Sequence, residues 1–301
     1  MKKIVRNMLC VLAWSIFATS AHASKITFYN TAPAAQESQA DEQSAVLQLD
    51  SNIALIYDEK SKKSMYHKNA DQVAPIASIS KLMTAMVVLD AKLAMNKLLT
   101  IENADVDRLK GTHSRLTVGT KFTRAEMMKL ALMSSENRAA AALARTYPGG
   151  KKAAIAAMNA KARQLGMRDT YFRDSTGLNS DNVSTARDLV KMVGAARKYG
   201  SIRQYTTTAS HAVSAKSGKE LYFNNTNPLV KSTSWDIGVS KTGFISEAGR
   251  CLVMEARINK RPVIIVLLDS QGKSARIDDA KRIKKWMEAD NIAPRPRARR
   301  G

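Results

Sequence analysis

Cysteine is scarce in this chain of 301 residues, which holds Cys10 and Cys251 alone. Cys10 lies in an N-terminal leader, so once that leader is cleaved Cys251 has no partner and an intramolecular disulfide is excluded. Histidine is nearly as rare: beyond the leader only His67, His113 and His211 remain, none at ligand spacing to another. With neither an H-E-x-x-H helix nor a C-x-x-C pair, no metal ligands are assigned and metal catalysis is not expected. No glycine-rich loop joins a strand to a helix, so no phosphate-bearing cofactor is expected either. Internal repeats are absent, and no apolar run is long enough to span a bilayer comfortably.

What the chain does have begins with "MKKIVRNMLCVLAWSIFATSAHAS". Lys2, Lys3 and Arg6 precede a short apolar run from Met8 to Ala18, and Ala21-His22-Ala23 is a small-x-small cleavage site. Residues 1–23 therefore read as a secretory signal peptide, which places the mature protein in the periplasm. The net charge of +22 becomes +19 without the three leader cations. Such a balance often signals nucleic acid, but an exported protein rarely meets any, so anionic wall material is the expected partner.

Residues 24–45, small and polar, read as a flexible linker, and residues 291–301, ending "PRPRARRG", as a basic disordered tail. That tail has charge but no apolar face, so no stable membrane anchor is expected. The domain between, 46–290, opens with a β-hairpin pattern, "SNIALIYDEKSKKSMYHKNA", and a helix at about 78–91. Helical patterns fill the middle third. Strands follow at about 205–213, 219–224, "DIGVSKTGF", "GRCLVMEARI" and "RPVIIVLLD", and a helix at about 274–289 closes the domain. Strands at both ends with helices between predict an α+β fold, whose N- and C-terminal strands pair in one antiparallel sheet. Cys251, in a strand-like run, reads as a small core residue.

Ser78 and Lys81, in "PIASISKLMTAM", are three residues apart and so on one face of a helix. A serine hydroxyl needs a neighbouring base to become a nucleophile, and a lysine at this spacing can be one. The pattern recurs in Ser270-Gln-Gly-Lys273, which reads as a loop. Lys241-Thr242-Gly243 follows an apolar strand and precedes Phe244; such a lysine and hydroxyl can hold a carboxylate, while the glycine lets a substrate backbone approach. Lys216-Ser217-Gly218 is its decoy and reads as a hairpin turn. Ser135-Glu136-Asn137 interrupts two helical patterns and offers a second hydroxyl and an amide; Ser180-Asp181-Asn182 competes with it from a Gly/Asn-rich loop.

S-x-x-K, S-x-N and K-T-G in this order are the motif set of penicillin-binding proteins and class A β-lactamases. Beyond the motifs, "PIASISKLMTAMVVLD", "LALMSSENRAAAALARTYPGG", "STARDL" and "DIGVSKTGFISEAGRCLVM" resemble the low-molecular-mass serine D-alanyl-D-alanine peptidases, over about residues 50–288. Departures are small: Ile-Ser inside the first motif, and Glu136 where the family often has aspartate. The resemblance implies a β-lactamase/transpeptidase-like fold, with a five-stranded antiparallel sheet flanked by helices plus a helical subdomain. It implies Ser78 as nucleophile, Lys81 as base, depressed by burial and by the second cation Lys241, Ser135 as proton relay and Asn137 as the orienting amide. Lys241, Thr242 and Gly243 would bind substrate, and the backbone N–H groups of Ser78 and Phe244 would form the oxyanion hole.

No cofactor is implied. The implied partners are peptidoglycan stem peptides, with β-lactams as covalent inhibitors. The motifs serve a carboxypeptidase as well as an endopeptidase, and only the wider similarity favours the endopeptidase. A class A β-lactamase deacylates with a glutamate between the second and third motifs, and none occurs between Asn137 and Glu220. A non-catalytic wall-binding module would have no need of an intact serine–lysine pair.

Overall fold

The structure, a computed structural model, describes residues 47–214 and 220–289. The expected signal peptide, linker, basic tail and Lys216-Ser217-Gly218 turn lie outside the described residues. In chain order, β1 (Ser51–Asp58), β2 (Lys63–Lys68) and β3 (Ala74–Pro75) lead into a 3₁₀ turn (Ala77–Ser80) and α1 (Lys81–Asp90). Then come β4 (Leu98–Thr100), a second 3₁₀ turn (Asn103–Asp105), β5 (Lys121–Thr123), α2 (Arg124–Met133), α3 (Asn137–Arg145) and α4 (Gly150–Gln164). β6 (Val183–Ser184), α5 (Ala186–Ala196), α6 (Gly200–Thr206), β7 (Ser210–Ser214) and β8 (Glu220–Asn224) follow. After a third 3₁₀ turn (Pro228–Lys231), β9 (Asp236–Ile245), β10 (Gly249–Ile258), β11 (Arg261–Ser270) and α7 (Ala275–Ala289) complete the described residues.

The main sheet has five strands in the order β2-β1-β11-β10-β9, all antiparallel. The N- and C-terminal strands pair as expected, Ile53 opposite Leu268. Side chains alternate between the faces of a strand, and here both faces are covered. Val263, Ile265 and Leu267 pack with Ile277, Ile283 and Met287 of α7. Ile264, Val266 and Leu268 face Leu189 and Val193 of α5 and the helical core beyond. Two covered faces explain why β11 reads as an unbroken apolar run. Asn259 and Lys260, both at positive φ, make the two-residue turn between β10 and β11, as their position between two apolar runs predicts. Cys251 is fully buried, and burial pushes its thiol up to about 12, so it is a core residue.

The stretch expected as a strand over 205–213 is helical in its first part. Ile202 and Thr206 bury one side of α6. The hydroxyls of Thr206 and Thr207 donate to Arg203 O, and that of Thr208 to Gln204 O. Threonine's strand preference thus yields to capping of the last helical carbonyls, and β7 starts only at Ser210. Farther back, α1 is buried on every side from Lys81 to Val88, all of it apolar but for Lys81 and Thr84, and becomes the central post of the helical region.

Candidate active site

The N-terminus of α1 sets the first two functional side chains. Ser78 lies in the 3₁₀ turn and Lys81 is the first residue of α1. In a 3₁₀ turn residues three apart eclipse one another, a closer superposition than the α-helix expected at 78–91 gives. Lys81 Nζ is 2.7 Å from Ser78 Oγ, 2.8 Å from Asn137 Oδ1 and 2.6 Å from the carbonyl oxygen of Thr176. Three acceptors match the three protons of an ammonium.

Several contacts clamp that turn. Ala77 takes a left-handed φ of 46°, costly for an alanine. Its carbonyl accepts the Ser80 hydroxyl at 2.8 Å, and Ile76 N–H donates to Asn182 O at 3.0 Å. On one side stands Gly177, at φ 81°, where an added Cβ would fall 1.8 Å from Ala77 O. On the other side is Gly243 of β9, whose added Cβ would come within 3.0 Å of Ala77 Cβ and Ile76 O and 3.1 Å of Ser78 N. The missing side chain of Gly243 thus leaves room for the turn that carries Ser78.

Lys81 is 1% exposed, and burial lowers it from its ordinary value to about 7, against the opposing pull of Asp174, Glu136 and Asp107. The repulsion between Lys81 and Lys241 disfavours the charged form of both. Burial, then the charges of Lys81 and Arg276, hold Lys241 well below the ordinary lysine value. Its Nζ donates to Ser135 Oγ at 3.0 Å and to Thr242 O at 2.8 Å. Ser135 sits between α2 and α3 at a φ of 62°, the left-handed bend that ends one helix and lets Asn137 begin the next.

The Thr242 hydroxyl donates to Thr226 Oγ1 at 2.6 Å. Among the described residues β9 pairs in its sheet with β10 alone, and its other edge runs past the turn that carries Ser78. Phe244 is 55% exposed, with the Arg250 guanidinium 4.5 Å from the centre of its ring.

The competing motifs have other work. Asn182 is fully buried; its amide donates to Ser80 Oγ and Asp174 O and accepts from the N–H groups of Arg173 and Asp174. That holds a loop in place and leaves the amide no free hydrogen-bonding group. Ser270 Oγ lies 2.7 Å from Ser51 Oγ, joining the two paired strands.

Residue reasoning missed Thr176, whose carbonyl holds Lys81, and the loop that delivers it. Asp174 accepts from the N–H groups of Thr176, Gly177 and Asn179 and from the Thr176 hydroxyl. The spelling D-S-T-G carries that signal, since an aspartate ahead of threonine and glycine commonly folds its own backbone around its carboxylate. A cavity of about 580 Å³ opens beside this loop, lined by Asp107, Arg108, Asn137, Lys151, Asp174 and Thr176 among others.

Known proteins resemble this chain over most of its length. Residues 36–272 match the family described as D-alanyl-D-alanine carboxypeptidase. The D-alanyl-D-alanine endopeptidase of Pseudomonas aeruginosa is 47% identical over 252 residues, 83% of this chain and 81% of that one. Its namesake from Escherichia coli is 48% identical over 249 residues, 82% of this chain and 80% of that one. Among solved structures, a Streptomyces DD-transpeptidase superposes with a TM-score of 0.74 at 30% identity, covering 80% of this chain and 98% of that one. The chain belongs to the D-alanyl-D-alanine carboxypeptidase family of serine peptidases.

Proposed function

We propose that this protein is a periplasmic DD-endopeptidase that opens D-alanyl–diaminopimelate cross-links of peptidoglycan through an acyl-enzyme on Ser78. The observation that carries the reading is the contact between Ser78 Oγ and a buried lysine held at about 7. At that value a large fraction of Lys81 is neutral near pH 7, and the neutral amine accepts the proton that Ser78 gives up. Ser78 Oγ attacks the D-alanine carbonyl carbon; the carbon–nitrogen bond then breaks as Ser135 passes a proton to the leaving amine. The proton that Lys81 took from Ser78 replaces the one Ser135 gives up. Water hydrolyses the ester. Asn137 orients the substrate amide, and the backbone N–H groups of Ser78 and Phe244 receive the oxyanion.

Lys241 and Thr242 hold the carboxylate next to the scissile bond, a contact that a buried cation makes strong. The same serine takes β-lactams, whose strained amide stands in for the peptide. Slow deacylation fits the surroundings of Lys81, because the Asp174 carboxylate is occupied by its own loop. Among the described residues no helix is long and apolar enough to cross a membrane, and we assign export to the signal peptide at 1–23.

The endopeptidase reading over the carboxypeptidase one is supported by the likeness to the two endopeptidases. The test gives purified protein a cross-linked muropeptide dimer and a monomeric pentapeptide side by side. Conversion of dimer to monomers that keep their stem peptides is expected; release of D-alanine with the dimer intact would make it a carboxypeptidase.

A further inference from the structure

Among the described residues Asn137 is the one side chain of another helix that hydrogen-bonds to Lys81, and its amide must present oxygen, not nitrogen, to the lysine. Nothing in Asn137 itself decides this, because the two ends of an amide have nearly the same shape. The decision is made farther out. Asn137 Nδ2 lies 2.9 Å from Thr112 Oγ1, and Thr112 Oγ1 lies 2.7 Å from Asp107 Oδ2. Asp107 also accepts from the backbone N–H groups of Leu109, Lys110 and Thr112. Burial raises its carboxyl, but these N–H groups and the Thr112 hydroxyl together hold it below the ordinary value, so it remains a carboxylate that only accepts.

From this fixed point each proton has one place to go. The Thr112 hydroxyl gives its proton to Asp107, since two acceptor oxygens at 2.7 Å without one would repel. Its oxygen is then left as an acceptor and takes a proton from Asn137 Nδ2. The Asn137 amide is thereby turned with Oδ1 toward Lys81 Nζ, at 2.8 Å. We propose that Asp107 and Thr112 are positioning residues, which set the direction of the hydrogen-bond chain Asp107–Thr112–Asn137–Lys81 and so orient the catalytic lysine. This rests on the reading of Lys81 as the base.

The loop is anchored independently of the site. Arg145 grips Asp105 with two nitrogens, both at 2.9 Å, and Lys110 pairs with Glu247 in the turn between β9 and β10. Thr112 is itself half-buried, so a change of its hydroxyl need not disturb a packed core. The charged groups around Lys81 are Asp174 from the loop before β6, Glu136 at the cap of α3, Asp107, and Lys241 on β9. Of these, Thr112→Val alters none.

The experiment measures the rate of acylation by a fluorescent penicillin from about pH 5.5 to 9, in the full chain and in Thr112→Val, Thr112→Ser and Asp107→Asn. Losing the chain's direction lets the Asn137 oxygen leave the ammonium, which disfavours the charged lysine. The expected result for Thr112→Val and Asp107→Asn is a plateau rate lower by roughly five- to tenfold, with the rising limb displaced to lower pH. Thr112→Ser, which keeps the hydroxyl, should stay within about twofold of the parent on the same grounds.

A Thr112→Val protein with the parent's rate and midpoint would overturn the proposal. So would a lowered rate with an unmoved midpoint, or Thr112→Ser as impaired as Thr112→Val. If only the labelled fraction falls, at unchanged rate, the hydroxyl serves folding alone and the proposal also fails. Should Thr112→Val not fold, Thr112→Ala is judged by the same two quantities, since Asp107→Asn also removes a charge that raises Lys81 and moves the midpoint by itself. A parent protein that takes no label at all would count against the function proposed above, not against this chain of contacts.

Discussion

The β-carbon that Gly177 lacks would fall 1.8 Å from the carbonyl oxygen of Ala77, the residue just before Ser78. The loop that supplies the Thr176 carbonyl to Lys81 therefore lies in backbone contact with the turn that supplies Ser78. Two elements 98 residues apart in sequence close on one another only because glycine stands at the contact. Substitution tests this closeness directly. Gly177→Ala combines a clash with backbone and a φ of 81°, and should cost about 3 kcal/mol or more in thermal or denaturant unfolding.

Gly243→Ala should behave differently. Its added Cβ meets Ala77 and Ser78 at 3.0–3.1 Å, which a shift of a few tenths of an ångström relieves. Stability should fall by less than about 2 kcal/mol, whereas the acylation rate should fall tenfold or more, because the shift moves the nucleophile. Equal acylation by this variant and the parent would separate β9 from the positioning of Ser78.

Lys81 makes the fold less stable than it could be. Its value in the folded chain is about 7 against an ordinary 10.5, so the unfolded chain binds the extra proton between these limits. The penalty is complete below about pH 7 and is relieved as pH rises toward about 10.5. Lys81→Met should abolish acylation and raise stability near pH 7 by roughly 2–4 kcal/mol, less than the whole shift because Thr176 O and Asn137 Oδ1 lose a donor. Denaturant titrations at several pH values check this. The advantage of the variant should shrink toward pH 10, and an advantage independent of pH would contradict it.

Acylation itself should rise with pH through about 7 and level off above, because only neutral Lys81 accepts the serine proton. Lys81→Arg should be inactive across the range, since a guanidinium stays charged. Initial rates with a chromogenic or fluorescent β-lactam measure both, and an active arginine variant would remove Lys81 from the role of base.

Ser270→Ala should leave acylation unchanged and cost about 1 kcal/mol of stability through the lost bond to Ser51. Ser180→Ala should also leave acylation unchanged. Stability and labelling measured on the same samples separate the two effects, and a loss of labelling in Ser270→Ala at full folding would reopen the choice among the S-x-x-K copies.

Much of this was legible in the residues. The outer strands announced themselves by apolar runs, and Ser78, Lys81, Ser135, Asn137 and Lys241 by type and spacing. The structure gathers all five at one place. Less legible were the contacts made by backbone, because the carbonyl of Thr176 has no letter of its own in the sequence. The further charge that acts on Lys241 was also hidden, since Arg276 comes from α7. The threonines at 206–208 misled for a local reason, their hydroxyls serving a helix end where β-branching argued for a strand.

The measurement that bears most directly on the account is the site of the penicilloyl group. Protein incubated with penicillin is digested with trypsin, and the modified peptide is fragmented in the mass spectrometer. Cleavage after Lys68 and Lys81 gives one peptide that holds both Ser78 and Ser80. The account predicts a stable adduct on Ser78, with Ser80, whose hydroxyl is bound to Ala77 O, unmodified. An adduct on Ser80, Ser135, Ser180 or Ser270, or no adduct on a folded protein, would contradict it.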